Sequence, residues 1–242
     1  MNEPARQPHA VLDADSRLVK AQKMERIIGA AHVAGARRLL EVGTGSGRIA
    51  AYFALQHPQL EVHATDVVDS RVVSEGYRFT RVDDATLPFA DHSFDLVISN
   101  HVMEHVGEHQ AQLTHLREIH RVLRDDGLVY FAIPNRWGPW EGHFKLPLLS
   151  WLPKQMADGY VRLFGRGTHY DCTPRSHGQL LALMRQAGFN GDDRTLDALG
   201  LMFELEAPQR PALRWLRVAL PLARLGFWII PTYVFTLRKA KA

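Results

Sequence analysis

Apolar residues along the first half of the chain recur in two alternating rhythms. Short apolar runs at Arg38 to Val42, Leu60 to Thr65, Tyr77 to Val82, Phe94 to Ser99 and Leu128 to Ile133 read as strands. Phe94 to Ser99 is nearly continuous, the pattern required when a sheet is covered on both faces. Between the runs the period lengthens to that of a helix. Arg48 to Gln56 is one such stretch, stopped by Pro58. Glu108 to Arg124 is another, with Leu113, Leu116, Ile119, Val122 and Leu123 on one side and Asp125-Asp126-Gly127 closing it. Ser16 to Ala34 places Leu18, Val19, Ile27, Ile28 and Val33 among charges and predicts one amphipathic helix. Strands alternating with helices predict parallel strands joined by right-handed crossovers.

The rhythm breaks at residues 134–175, which read as an insertion rich in aromatic residues and proline. Beyond it, Ser176 to Ala187 predicts a helix with Gly188 as its C-cap, and a strand is expected near Arg194 to Leu199. Residues 208–226 alternate apolar side chains with arginines, and Trp228 to Arg238 predicts a last strand. The expected fold is therefore α/β, a doubly wound, mostly parallel sheet.

Composition narrows the class without naming a function. With 46% hydrophobic and 23% charged residues, the 242-residue chain is globular, not disordered, collagenous or coiled coil. The single cysteine, Cys172, excludes an internal disulfide and any multi-cysteine metal cluster. The net charge of +3 hides a division: residues 1–133 carry net −4, 134–175 net +3, 176–206 net −3 and 207–242 net +7. The N-terminus has no apolar core of a secretory signal, and the longest uncharged apolar stretch, Leu225 to Leu237, is 13 residues long. A spanning helix needs roughly 20, so a cytoplasmic protein is expected.

The strongest chemical signal is Leu39-Leu40-Glu41-Val42-Gly43-Thr44-Gly45-Ser46-Gly47. A strand running into small residues lets a ligand approach the backbone and meet helix N–H groups. A dinucleotide fingerprint needs glycine at its first, third and sixth positions. Here the sixth is Arg48, which argues against a NAD-dependent oxidoreductase. Asp66 ends the second strand, where a carboxylate can accept both hydroxyls of a ribose. Asp84-Ala85 follows the third, where a polar side chain can read an adenine edge. Each feature alone could be an ordinary turn or cap; together they lie at the carboxyl ends of three successive strands.

The ordered set of motifs resembles the class I S-adenosylmethionine (SAM)-dependent methyltransferases, in the methyltransferase type 11 branch that includes quinone-biosynthesis enzymes. It comprises Glu41 to Gly47, Asp66, Asp84-Ala85 with Leu87-Pro88-Phe89, Ser93 to Asn100 running into Glu104-His105-Val106, and Glu118 to Gly127. The resemblance covers about residues 38–135 and implies a seven-stranded Rossmann-like sheet with the last strand antiparallel. It implies that Gly43, Gly45 and Gly47 form the loop under the methionine part of SAM, supported by Glu41. It places Asp66 on the ribose, Val67 against the adenine, Asp84 and Ala85 at the adenine edge, and Asn100 near the transferring methyl. One domain over residues 1–242 is expected: a loose tail to residue 15, a cofactor half over 16–135, an acceptor-side insertion over 136–175, and a C-terminal part over 176–242.

The acceptor is less legible. A hydroxyl or carbon acid needs a base, and His101, His105, His143 and His169 are candidates, with His143 and His105 first. Glu141-x-His143 lacks a third metal ligand at a familiar spacing, so no metal is expected. The aromatic insertion reads as a lid over an apolar pocket. The basic segment 208–226 reads as a helix packed on the domain or lying on an anionic membrane. A small or lipid-linked acceptor is expected, with O-methylation as the default and C- or N-methylation open. A peripheral membrane contact is a further expectation. No nucleic-acid partner is expected, because no recognition motif accompanies the basic stretches. A SAM-binding protein without catalysis is the competing reading.

Overall fold

A computed structural model describes residues 14–206, 224 and 226–241. Nine strands are described: β1 (Arg38–Val42), β2 (Glu61–Asp66), β3 (Arg78–Arg81), β4 (Phe94–Asn100), β5 (Leu123–Pro134), β6 (Trp140–Glu141), β7 (Leu146–Pro147), β8 (Phe189–Asp193) and β9 (Thr232–Lys239). Seven form one sheet in the order β3-β2-β1-β4-β5-β9-β8. β1 pairs in parallel with β2 and β4, while β9 runs antiparallel between β5 and β8. The sheet is thus doubly wound and mostly parallel, with β9 its antiparallel strand, as expected.

Alternation along the central strands explains why their sequences are apolar throughout. Val97 of β4 and Val129, Phe131 and Ile133 of β5 enter one core layer. Leu96, Ile98, Leu128, Tyr130 and Ala132 enter the other. The first layer is closed by α4 (His109–Val122) and α6 (His177–Gln186). The second is closed by α1 (Ala14–Ile28), α2 (Ala30–Gly35), α3 (Arg48–Gln56) and α7 (Thr195–Glu206). Both sheet faces are thus dry, and each central side chain has a helix to pack on.

Several local expectations need correction. The single helix expected over Ser16 to Ala34 is two, because Gly29 adopts φ +90° between α1 and α2. Gly29 can do so without steric cost. The strand expected near Arg194 to Leu199 is the first half of α7. Asp193 Oδ1 accepts the Thr195 N–H at 2.8 Å, and this side-chain cap turns the chain from β8 into a helix. β5 begins at Leu123, five residues before the expected Leu128, because Leu123 pairs with Phe94 across a register shift. The last strand begins only after Pro231, with a 3₁₀ turn at Phe227–Ile229 before it. The basic segment expected over 208–226 falls largely outside the described residues.

The insertion leaves the sheet and returns at one point. Asn135 bridges Arg175, and the Arg136 N–H donates to the Arg175 carbonyl at 3.1 Å. Between these ends lie the β6–β7 hairpin and α5 (Lys154–Leu163). They enclose a separate small core of Phe144, Leu146, Leu149, Val161, Tyr170 and Cys172.

Candidate active site

The glycine turn is built around two carboxylates. At the start of α3, Gly47 is left-handed and offers no side-chain cap. The orphan N–H of Ala50 is instead taken by Glu41 Oε2 from the end of β1, at 3.0 Å. The Thr44 hydroxyl donates to the same oxygen at 2.7 Å. Burial pushes the Glu41 carboxyl up to about 8, against the lowering effect of these two hydrogen bonds. Asp66 Oδ2 accepts the Gly45 N–H and Asp66 Oδ1 the Val67 N–H, both at 2.8 Å. The second carboxylate therefore fixes the loop from β2.

Gly47 serves a different neighbour. The β2–β3 connection folds over the turn, with the Val72 N–H donating to the Ser46 carbonyl at 3.0 Å. A Cβ on Gly47, at φ +77°, would run into the Tyr77 hydroxyl and the Val73 carbonyl.

These ends open into a cavity of about 640 Å³. Gly43, Gly45, Asp66, Val67 and Asn100 line one part of it; His105, Glu141, His143 and Tyr170 line another. Volume and concavity are in the range of small-molecule sites. Gly47, Asp84 and Ala85 are absent from the lining. Asp84 is exposed, and its Oδ1 accepts the Thr86 N–H at 2.7 Å, turning the carboxylate back on its own loop.

The histidines converge from two distant stretches. His101 follows β4 in a left-handed conformation, φ 57°, held by its N–H to the Ala132 carbonyl at 2.9 Å. Left-handed backbone is costly for a side chain other than glycine and marks a position its surroundings enforce. His105 lies on the 3₁₀ turn Met103–His105. His143 arrives from the β6–β7 hairpin, its Nε2 3.3 Å from His105 Nε2. Its Nδ1 faces Glu141 Oε1 at 2.9 Å, while Glu141 Oε2 accepts the Phe144 N–H at 2.7 Å. The strap before Arg175 is pinned across the 3₁₀ turn: Thr173 N–H donates to the Glu104 carbonyl at 2.7 Å, and Gln112 Nε2 to the Thr173 carbonyl at 2.9 Å. Cys172 is thereby set behind both rings. His169, the fourth candidate, is outside the cavity lining and pairs with the Thr168 hydroxyl.

Burial shapes the electrostatics here. It drives the His101 imidazole well below its ordinary range, with Lys20 and His143 adding repulsion. Burial pulls on His143 too, but the hydrogen bond to Glu141 and the charge of Glu104 outweigh it and hold the imidazole high. Burial raises the Glu104 carboxyl against the attraction of His105 and His143. It also raises the Cys172 thiol well above the usual range, so the thiol is no ready nucleophile.

With this geometry in place, comparison with known proteins is informative. A family model for the methyltransferase domain matches residues 40–131. An uncharacterized methyltransferase of Mycobacterium sp. (strain JLS) is 33% identical over 135 residues, covering 54% of this chain and 52% of that protein. Residues 40–131 are thus similar to a methyltransferase domain. The chain spans about half the length of the curated relatives it matches. Among solved structures, a SAM-dependent methyltransferase from Mesorhizobium loti has a TM-score of 0.59 at 16% identity, covering 94% of this chain and 98% of its own. The cyclase SpnF has a TM-score of 0.56 at 20% identity, covering 92% and 82%. Likeness at this identity establishes the fold.

The fold also accounts for motifs that do no chemistry. Arg121 donates to Glu118, to Asp91 and to the Leu87 and Phe89 carbonyls, while Glu118 accepts the Leu87 N–H. Glu118 and Arg121 thus clamp the Leu87-Pro88-Phe89 loop. Two charged cavity residues escaped sequence reading altogether. Arg17 and Lys20 reach the cavity from α1. Burial, then the neighbouring Arg17 and Lys23, pushes Lys20 down to about 8. In sequence they look like the wet face of an amphipathic helix, and only the position of α1 over the strand ends distinguishes them.

Proposed function

We propose that the protein binds SAM across the carboxyl ends of β1, β2 and β4 and transfers its methyl group to an acceptor entering from the 136–175 side. The observation that carries this reading is the single cavity joining the glycine turn and Asp66 to the histidine cluster. Its residues fit the cofactor. Each Asp66 oxygen accepts one strong backbone hydrogen bond and retains capacity for a ribose hydroxyl. Gly43 and Gly45 keep side chains out of the turn, and Arg17 and Lys20 can meet a carboxylate. Bound SAM supplies an already activated methyl group. What the chain adds is alignment of the acceptor, exclusion of water and a place for the acceptor's proton.

We favour a hydroxyl as the acceptor group, because the far end of the cavity is lined by His105, His143 and Glu141, which can receive its proton. We favour an apolar or lipid-linked acceptor, because Trp140 lines the cavity while half exposed, and Trp137, Trp151 and Trp228 are exposed too. Burying such side chains against an acceptor or a membrane surface is favourable. A second reading, a SAM-binding protein that does not transfer methyl groups, keeps a specific support: a cyclase shares the fold. Calorimetry with S-adenosylhomocysteine (SAH) and release of SAH from SAM with candidate acceptors separate them. No SAH binding overturns the proposal; binding without turnover across hydroxyl, amine and carbon acceptors favours the second reading.

A further inference from the structure

Glu104 is the least explained side chain among the described residues. It is fully buried, and neither carboxylate oxygen has a hydrogen-bond partner. Leaving a buried carboxylate so placed is costly unless something compensates it. Its Oε1 points into the histidine cluster, 3.3 Å from His101 Nδ1, 3.7 Å from His143 Nε2 and 4.0 Å from His105 Nε2. We propose that Glu104, His105 and His143 bind a divalent first-row metal ion, Zn²⁺ by the chemistry of the set, with His101 beside them and an open fourth position toward the cavity.

The spacing suits such an ion. Zinc–nitrogen bonds of 2.0–2.1 Å in a tetrahedron put two nitrogens about 3.3–3.4 Å apart. The His105 and His143 Nε2 atoms are 3.3 Å apart. The nitrogen–oxygen separations are slightly long, as expected of a site that tightens on its ion. A second group of potential ligands, His105, His143 and Cys172, shares two of these rings. It is disfavoured by which ring atoms it uses. Cys172 Sγ lies 3.7 and 3.9 Å from the Nδ1 atoms of His105 and His143, on the side away from Glu104. His143 Nδ1 is engaged by Glu141. That pairing is the carboxylate–histidine contact that fixes a metal-binding ring and leaves Nε2 for the ion. The left-handed His101 has a reason as well, since its conformation brings the ring beside Glu104.

The role of the ion rests on the methyl-transfer reading; its binding does not. At the acceptor end of the cavity, a zinc ion with an open position favours an oxygen ligand in its deprotonated form. The acceptor class is then a hydroxyl or phenol bound as its oxyanion, its proton released to solvent; with the ion bound, His105 and His143 act as ligands, and the base role given to them above applies only to the metal-free protein.

The test uses the full chain, stripped with a chelator and titrated with Zn²⁺ against a chromophoric competitor. One equivalent is expected, bound at submicromolar free zinc. His143→Ala and the isosteric Glu104→Gln should each remove tight binding while SAH affinity persists. Glu141→Gln should weaken zinc by about 10–100-fold, and Cys172→Ser should leave the stoichiometry intact. Co²⁺ substitution should give visible bands without a thiolate charge-transfer band. A thiolate band, or loss of the ion in Cys172→Ser, overturns the ligand set. Substoichiometric zinc uptake by wild-type protein that binds SAH overturns the site and leaves the methyl-transfer reading standing. Failure to bind SAH with zinc uptake intact does the reverse.

Discussion

The two ends of the cavity are made in different ways. At the cofactor end, each polar group sits at or just beyond a strand end: Glu41 on β1, Asp66 on β2, Asn100 on β4. The strands pair in parallel, with Val42 opposite both Thr65 and Ser99, so the sheet itself sets the spacing. At the acceptor end, His105 and His143 are 38 residues apart in sequence and meet through a hairpin, a strap and a few hydrogen bonds. Rigid pairing makes the first end; a pinned insertion with its own small core makes the second. Perturbations should therefore separate the two ends.

Asp66 should give the largest effect. Asp66→Ala removes the anchor of Gly45 and the acceptors proposed for the ribose. Hydrogen bonds to a charged group contribute about 1.5–3 kcal/mol each, so a loss of about 3–4 kcal/mol in SAH binding, a few hundred-fold, is expected. Calorimetry measures it, and near-normal affinity would remove Asp66 from the site.

Leu149 tests the other end. It is fully buried in the satellite core, and Leu→Ala in such positions costs about 2–5 kcal/mol. Because that core is separate from the two layers on the sheet, the loss should fall on the insertion. Limited proteolysis should cut within residues 136–175, while SAH affinity holds within about two-fold, as for distant sites. A collapse of the whole sheet in Leu149→Ala would show the two ends to be one cooperative unit.

Glu41 sharpens the comparison through pH. Its carboxyl is raised from 4.5 to about 8 by burial, so between those values the folded protein holds a proton the unfolded chain has released. Stability then falls as pH rises through that window and levels off above about 8. In Glu41→Gln the slope is absent, while one side-chain oxygen remains for Thr44 and Ala50. At 1.36 kcal/mol per pKa unit, the variant should gain about 2–3 kcal/mol on wild type between pH 6 and pH 9. Urea unfolding at the two pH values reads this, and parallel curves would refute it.

The same contrast explains what the sequence disclosed. The five strands of the cofactor half and the turn Glu41 to Gly47 are local patterns, and their order fixes a parallel sheet. Glu141 beside His143 was visible, and so were His101 and His105 as candidates, but that these groups meet was not, because an insertion carries no fixed register to the sheet. Asp84 misleads for the opposite reason: a strand-end aspartate reads the same whether it faces a ligand or closes its own turn onto Thr86. The Arg194 to Leu199 strand fails because an Asx cap at Asp193 outweighs short-range strand character. Gly29 carries the break between α1 and α2, yet a lone glycine in a helical pattern reads as tolerated.

The smallest effect concerns the exposed rim. Trp137 and Trp228 lie outside the cavity lining, 40% and 56% exposed, on segments joined by Asn135, whose side-chain amide donates to the Trp228 carbonyl at 2.7 Å. No helix among the described residues is long and apolar enough to cross a membrane, and the contact these two tryptophans would make is a surface one. An indole seated in the interfacial region contributes roughly 1 kcal/mol through apolar burial. Trp137→Ala and Trp228→Ala should each reduce binding to anionic vesicles about five-fold, the double variant more, with SAH affinity unchanged. Co-sedimentation at moderate salt measures this, since screening weakens the basic contribution but not the apolar one. Vesicle binding that is indifferent to both tryptophans but lost with salt would make the contact purely electrostatic. It would also move the acceptor's entry away from the insertion.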